Sequence, residues 1–325
     1  MERRSATDFR PAASLENLRR RAALLAQLRQ VFAERGFLEV ETPILSADTV
    51  VDRHLDPFGI AGESAASAPR WLQTSPEFAM KRLVAAGATA IYQVTRAFRQ
   101  GEAGPRHNPE FTMVEWYRVG DGMAEAMQFT SDLCEALLQR GPAVQVAYGE
   151  AFERHVGLNP HTADGSALAT TARRLGVDAP ESLEPADRDG WLDLLMVERV
   201  QPHLGTLAPV LLYDYPASQA MLARLRQGDP PVAERFELYA SGVELASGYH
   251  ELLDAEELRR RNTRANRQRR ADGKAALPEE SRLLAAMEAG LPASSGVALG
   301  FDRLVMVAIG ASRLAEVMAF PYDRA

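Results

Sequence analysis

Residues 91–118 read IYQVTRAFRQGEAGPRHNPEFTMVEWYR. Both ends of this stretch alternate with period two, as half-buried strands do, and a polar segment rich in Gly and Pro separates them. Ile91, Gln93, Thr95, Ala97 and Arg99 share one face of the first strand. Phe111, Met113, Glu115 and Tyr117 share one face of the second. A hairpin this long commits the chain to an antiparallel sheet. Its sided chemistry, a guanidinium with a carboxylate and aromatic rings, suits a site that holds a nucleotide beside a small charged substrate. Arg on a half-polar strand face can clamp a carboxylate or phosphate bidentately, although a lone Arg is as readily a surface ion-pair partner.

The rest of the chain agrees with strands covered by helices. Ser14 opens a helical pattern with Leu15, Leu18, Ala22, Leu25 and Phe32 on one stripe, and Gly36 closes it. FLEVET then alternates toward Pro43. Residues 60–70 read as a small-residue loop, Phe78–Ala86 and Met123–Arg140 as helices, and 141–190 as a variable helical insertion. Trp191–Arg199 is amphipathic, Val210–Tyr213 is a short strand, and Ala217–Leu225 has helical character. Phe236–Tyr239 and Val243–Ala246 flank Ser241-Gly242 as a second hairpin. Ala255–Arg270 is a charged helix. A glycine-bounded strand, Gly296–Gly300, runs into a helix from Asp302. Strands grouped with strands favour an α+β fold, an antiparallel sheet flanked by helices, over a doubly wound parallel one.

Composition excludes several classes. A net charge of −7 over 325 residues provides no general basic field for nucleic acid. Cys134 is the one cysteine, in a helical apolar setting that suits a packed thiol. The histidines are scattered and no zinc-binding pattern occurs. Neither G-x-G-x-x-G nor G-x-x-x-x-G-K-[ST] is present, so a nucleotide would not be held by a Rossmann loop or P-loop. The first periodic segment is too charged for a signal or membrane helix, so a cytoplasmic chain is expected.

Two further features carry chemistry. Glu244 and Glu251, in ELASGYHE, suggest a pair of carboxylates for Mg²⁺ bridging ATP phosphates, or one exposed and one ion-paired glutamate. Gly300 allows close approach of a ligand to the backbone. Arg303 sits in the first turn of a helix, where its charge opposes the dipole, which suggests an anionic ligand.

These blocks together resemble the class II aminoacyl-tRNA synthetases. Arg35-Gly36-Phe37, Val40 and Pro43 are similar to motif 1. Phe98-Arg99 with Arg106-His107-Asn108-Pro109-Glu110-Phe111-Thr112 is similar to motif 2. Gly300-Phe301-Asp302-Arg303-Leu304 is similar to motif 3. Thr74-Ser75-Pro76-Glu77 and Glu244, Gly248, Glu251-Leu252 match the lysine-specific branch. HNPEFTMVEWYR, VAERFELY, PASQA and SGVALGFDRLVM look closer still to the truncated lysyl-tRNA synthetase paralogues that modify elongation factor P. The resemblance implies a homodimeric catalytic domain over 1–325 without an anticodon-binding domain. The implied reaction is ATP- and Mg²⁺-dependent activation of lysine or β-lysine, followed by transfer to a lysine of elongation factor P; tRNA is not expected as a partner. A tRNA-charging enzyme and a silent synthetase-like regulatory module are the other readings.

By position, the resemblance implies that Arg99 and Arg303 are catalytic and contact the ATP phosphates. Gln100, Gly101, Glu102, His107, Asn108, Phe111, Glu244, Leu245 and Gly300 complete the nucleotide site, with Asn108 near the adenine and Phe111 stacked on it. Ser75, Pro76, Glu77, Glu115, Tyr117, Glu251 and Ala298 bind the amino acid, and Glu244 and Glu251 hold the metal. Gly101 stands where the family has the glutamate that reads adenine, with Glu102 one place later. Ala298 stands where lysyl-tRNA synthetases have glycine, and its methyl is expected to trim the pocket near the substrate backbone. The run from Arg259 to Arg270 holds seven arginines. It reads either as a solvated helix face or as a docking patch for the protein acceptor.

Overall fold

A computed structural model describes residues 9–61 and 69–325. Most of the loop read over 60–70, residues 62–68, lies outside them. The strands are β1 (Leu38–Glu39), β2 (Leu45–Ser46), β3 (Gly59–Ile60), β4 (Arg70–Leu72), β5 (Ala90–Phe98), β6 (Glu110–Val119), β7 (Val144–Ala147), β8 (Val210–Pro216), β9 (Leu225–Arg226), β10 (Val232–Ala240), β11 (Val243–His250) and β12 (Ser294–Gly300). The helices are α1 (Leu15–Glu34), α2 (Glu77–Ala85), α3 (Met123–Leu138), α4 (Tyr148–Val156), α5 (Gly165–Arg174), α6 (Arg188–Leu195), α7 (Ala255–Ala271), α8 (Arg282–Gly290) and α9 (Phe301–Ala308).

The main sheet runs β1-β5-β6-β12-β11-β10-β8-β7, with β9 beside β10; a small sheet runs β2-β4-β3. The centre of the main sheet is antiparallel, as the two hairpins require. Its outer pairs, β1 with β5 and β7 with β8, are parallel. The β10–β11 hairpin turns on Ser241 and Gly242, both at positive φ (54° and 67°), the backbone that matches strand twist in a two-residue turn.

Alternation along the strands separates two layers. Val114 and Trp116 of β6 face α1, α3 and α9, where Phe32, Phe129, Leu133, Phe301 and Leu304 complete the core. Phe32 lies flat on Tyr92 and edge-on to Trp116. Cys134 is buried in this layer, and burial pushes its thiol up to about 12, as a packed thiol requires. The opposite face of β6 carries Met113, Glu115 and Tyr117, and α2, α7 and α8 pack beyond it around Phe78, Leu258 and Leu284. A third cluster joins α4, α5 and α6 to β8 and β10.

Several elements differ from the sequence reading. FLEVET forms only a two-residue strand before Pro43 ends the pairing. Ala217–Leu225 is not a helix. It makes one short turn, passes through Met221 at positive φ (48°) and becomes an extended strap whose Leu222 carbonyl accepts from the Leu252 N–H. Residues 141–190 begin with β7, which extends the main sheet, before α4 and α5. Among the described residues, no helix is long and apolar enough to cross a membrane.

Candidate active site

Cross-strand register builds the site. Gln93 of β5 stands opposite Glu115 of β6, which stands opposite Ala298 of β12, then Ser247 of β11 and Glu237 of β10. The adjacent row runs Ile91, Tyr117, Gly296, Tyr249 and Arg235. Registered neighbours point to the same side of a sheet. From β6 to β10 the two rows floor one cavity of about 540 Å³, which Thr74, Ser75, Glu77, Arg99, Glu244 and Glu251 also line. A smaller cavity of about 100 Å³ opens from the Arg99, Met113, Glu244 and Ala298 end.

The far end of the larger cavity is a buried acidic cluster. Glu77, Glu115 and Glu251 are 8%, 2% and 1% exposed. Ser75 Oγ (2.8 Å) and Tyr117 Oη (2.5 Å) donate to the two oxygens of Glu115. Lys81, one turn into α2, donates to Glu77 (2.5 Å) and pairs with Glu251 (2.5 Å). Burial pushes the Glu115 carboxyl up to about 7, with the charge of Glu77 adding to it. Burial likewise raises Glu251 to about 8, against the pull of Lys81. Burial works against the Lys81 ammonium too, but Glu251 and Glu77 outweigh it and hold its affinity for the proton above the usual lysine value. The cluster thus holds more carboxyl groups than cations. Gly296 is required beneath it, because a Cβ there would lie 2.2 Å from Glu251 Oε1 and 2.3 Å from the Tyr117 ring.

The near end is assembled by the hairpin loop and α9. The Arg99 guanidinium lies 5.1 Å over the Phe111 ring and 3.8 Å from Glu102, and its Nε donates to the Thr74 carbonyl (3.4 Å). Arg303 Nη1 reaches Glu244 Oε2 (3.4 Å), and Nη2 lies 2.6 Å from His107 Nε2. Arginine has no acceptor, so this His107 nitrogen accepts and the ring proton sits on Nδ1. Burial and the Arg303 charge push the imidazole pKa down, which keeps it neutral. Asp302, 2% exposed, fixes this end: it pairs with Arg21 of α1 (2.5 Å) and accepts from the Thr112 N–H (2.7 Å). Residues of the motif 2-like and motif 3-like blocks, Thr112 and Asp302, therefore meet α1 at one buried carboxylate.

Most of the expected residues come together, and some do not. Glu102, His107, Asn108, Phe111, Leu245, Gly300 and Arg303 line the smaller cavity. Gly101 only makes the turn (φ 82°), and Glu102, not Gly101, faces the cavity. Gln100 lines neither cavity: its side chain is exposed and its N–H donates to the Asp56 carbonyl. Pro76 lines neither and instead precedes α2, where its carbonyl accepts from Ala79 and Met80. The Asn108 amide braces the backbone, donating to the Glu110 carbonyl (2.6 Å) and accepting from the Tyr322 N–H (2.9 Å).

The pairing of Glu244 with Glu251 around one metal is corrected. Seven residues of extended chain separate them by roughly 20 Å, and Glu251 is committed to Lys81. The carboxylate near Glu244 is Glu237, brought there by the β10–β11 hairpin. Tyr215 and Tyr239 both donate to one Glu237 oxygen (2.5 Å each), and Arg235 pairs with the other (2.5 Å). Burial raises the Glu244 pKa, and the charge of Glu237 raises it further. Yet the Glu244 side chain keeps 38% of its surface open to the cavity. An accessible carboxylate destabilised by a like charge fits one Mg²⁺ that keeps phosphate and water as its other ligands.

Sequence reasoning missed Glu237 and Lys81. Both carried a signal. Glu237 interrupts the apolar strand FELYA, and Lys81 falls four residues after Glu77 on the stripe of α2 that faces the core.

The family model for class II tRNA synthetases (D, K and N) matches residues 2–324. Elongation factor P–(R)-β-lysine ligases of Salmonella arizonae, Salmonella agona and Salmonella enteritidis are each 47% identical to this chain over 320 residues, which is 98% of this chain and 98% of each relative. The chain belongs to the class II tRNA synthetases of the D, K and N group.

Proposed function

We propose that this chain is an ATP-dependent ligase that activates (R)-β-lysine or lysine and joins it to the ε-amine of a lysine on elongation factor P. The observation that carries this reading is the buried cluster of Glu77, Glu115 and Glu251, whose carboxyl groups outnumber the single cation Lys81. Two excess acids at that depth are costly unless cations join them. An amino acid with two ammonium groups supplies those cations.

With its ammonium groups held there, the substrate extends its carboxylate past Ala298 toward Arg99. The carboxylate oxygen attacks the ATP α-phosphorus in line, the P–O bond to pyrophosphate breaks, and an aminoacyl-adenylate forms. Arg99 and Arg303 stabilise the charge on the phosphoryl oxygens. Neutral His107 orients Arg303 without adding charge. Glu102 and Phe111 flank the space for the adenine. Glu244 with Glu237 would hold Mg²⁺, which neutralises phosphate charge when bound. In the second step the acceptor's neutral ε-amine attacks the adenylate carbonyl carbon. The C–N bond forms, the C–O bond to AMP breaks with its electron pair on AMP, and the nitrogen loses a proton to solvent. Positioning suffices and no covalent enzyme intermediate is needed.

We further propose a single catalytic domain over 1–325 with 141–190 as an insertion in it, working in the cytoplasm as a homodimer. Leu15, Leu38 and Leu45 around α1 and β1 are 64%, 63% and 47% exposed, which supports an apolar contact between two copies there. The net charge of −7 argues against tRNA as acceptor. The test is pyrophosphate exchange with each lysine isomer, followed by mass spectrometry of elongation factor P. Exchange together with a lysyl mass increment on the factor is expected. Charging of bulk tRNA without modification of the factor would refute the reading.

A further inference from the structure

The arginine-rich helix α7 resolves into two populations. Arg259 is consumed by Glu256, Glu280 and Glu288. Arg261 pairs with Glu257 and donates to the carbonyls of Met221 and Ala223. Arg269, 3% exposed, pairs with Asp56 and donates to the carbonyls of Asp52, Leu55 and Ala275. These arginines build the fold: they anchor the 52–56 loop and the 221–223 strap against α7.

Arg264 and Arg267 are different. Both are exposed, and neither has a hydrogen-bond or ion-pair partner among the described residues. At 100° per residue they fall on one face with Arg260, which pairs with Glu257 at its side of the stripe. Like charges three residues apart repel, and this pair stands without compensation in a chain of net charge −7. Arg264 also lies on the rim of the larger cavity, one turn from Gln268 on the same rim.

Another part of the cavity wall has the opposite sign. Asp189 and Asp193, one turn apart on α6, line the same cavity. Ser218 donates to Asp189 (2.6 Å) and Gln219 to Asp193 (2.7 Å), while burial pushes the Asp193 carboxyl up to about 6. The mouth therefore offers free cations outside and carboxyl groups inside. A complementary partner presents carboxylates around a projecting lysine.

We propose that the Arg264–Arg267 stripe is the docking surface for the protein acceptor, and that it takes an acidic patch beside the target lysine whose ammonium then passes Asp193 into the cavity. The proposal rests on the ligase reading above and adds where the acceptor sits. Charge complementarity at such a rim acts on encounter and on salt dependence.

The experiment compares wild type, Arg267→Glu, Arg264→Glu/Arg267→Glu and the double Lys variant, with purified elongation factor P as acceptor. Pyrophosphate exchange and capture of the adenylate by hydroxylamine report the first step. In Arg267→Glu both should stay within about twofold of wild type, while kcat/KM for the factor falls about tenfold, mainly through KM. The double Glu variant should lose more, its transfer should depend less steeply on salt, and the double Lys variant should retain most activity. Unchanged transfer in both Glu variants would overturn the docking surface, as would equal losses in exchange and transfer. Unchanged transfer with lost binding of tRNA would assign the stripe to nucleic acid instead. A wild type that exchanges pyrophosphate but never modifies the factor would overturn the acceptor assignment itself, and the docking surface with it.

Discussion

The two ends of the central cavity share the same strands and differ in almost every physical respect. The acidic end, the proposed ammonium site, is buried and made by side chains on or next to regular elements: Glu115 and Tyr117 from β6, Glu77 and Lys81 from α2, and Glu251 just past β11. Its charges are already in contact with one another. The phosphate end is open and made by a loop, a helix start and a hairpin, with Arg99, His107, Arg303 and Glu244 all partly accessible. One end carries preformed electrostatics that the fold must support. The other carries electrostatics that matter when a polyanion arrives. Mutations at the first should therefore register in stability as well as activity, and mutations at the second in activity alone.

The sharpest break of this comparison is Lys81→Met. It leaves Glu77 and Glu251 without their cation in a buried site, which typically costs about 3–5 kcal/mol. Urea unfolding at pH 8 should show that loss, and saturating lysine should recover part of it. A variant as stable as wild type would mean that the carboxyl groups simply take up protons at no cost, and that the end is not preformed. Arg99→Ala tests the other side. Its guanidinium has only long contacts to Glu102 and the Thr74 carbonyl and the Phe111 face to lose. Unfolding should move little, while pyrophosphate exchange should fall by about 10²–10³, the usual effect of removing one preorganised donor from a transition state. Near-normal exchange would remove Arg99 from the mechanism.

The pH dependence sharpens the same contrast. Glu115 and Glu251 have folded values raised to about 7 and about 8, above the ordinary carboxylate value of 4.5. For an acid with a raised folded value, the folded state binds more protons than the unfolded state. The penalty is absent below the unfolded value and grows as pH rises toward the folded one. Without ligand, these two groups should lower stability between pH 4.5 and 8. Binding of a diammonium substrate reverses the sign, because ionised carboxyl groups are what it needs. Affinity for lysine should rise from pH 6 to 8 with release of protons, measurable by calorimetry in buffers of different ionisation enthalpy. Glu115→Gln should flatten the profile; an unaltered profile would place the titrating group elsewhere.

The sequence revealed the site's framework better than its electrostatics, and the reason is periodicity. Period two put Glu115 and Tyr117 on one strand face, and the register bears this out by setting them beside Ala298 and Gly296. The two hairpins, α1, α3 and α7 were legible for the same reason, since local patterning and, for α1, the cap Ser14 specify them. What escaped depends on contacts distant in sequence. Lys81 is ordinary in a helix until Glu251 arrives from 170 positions away. Glu237 looked like part of a strand until Tyr215 and Tyr239 closed on it. Extended chain also misled in the case of Glu244 and Glu251: closeness in text is not closeness in space when each residue advances about 3.3 Å. The strap 217–225 has helix-forming residues but spends its backbone on β11's continuation and β10 instead.

The smallest expected effect lies where the two ends meet. Ala298 stands between Glu115 and Ser247 in the cross-strand row and lines both cavities, so in the proposed binding mode its methyl would face the span that joins the substrate's ammonium groups to its carboxylate. An α-amino acid and its β isomer differ in that span, because the amino group of the β isomer lies one carbon further from the carboxylate. Removing the methyl with Ala298→Gly enlarges the junction without touching either set of charges. One buried methyl changes discrimination by about 1–3 kcal/mol, so the ratio of kcat/KM for (R)-β-lysine over α-lysine should fall about tenfold or more in pyrophosphate exchange. Stability should drop only slightly, by about 1 kcal/mol, from the extra backbone freedom of glycine in a strand. A ratio unchanged by the substitution would show that isomer choice is made at the buried acidic end alone, by the separation of Glu77 from Glu115 and Glu251, and that the junction is a passive floor.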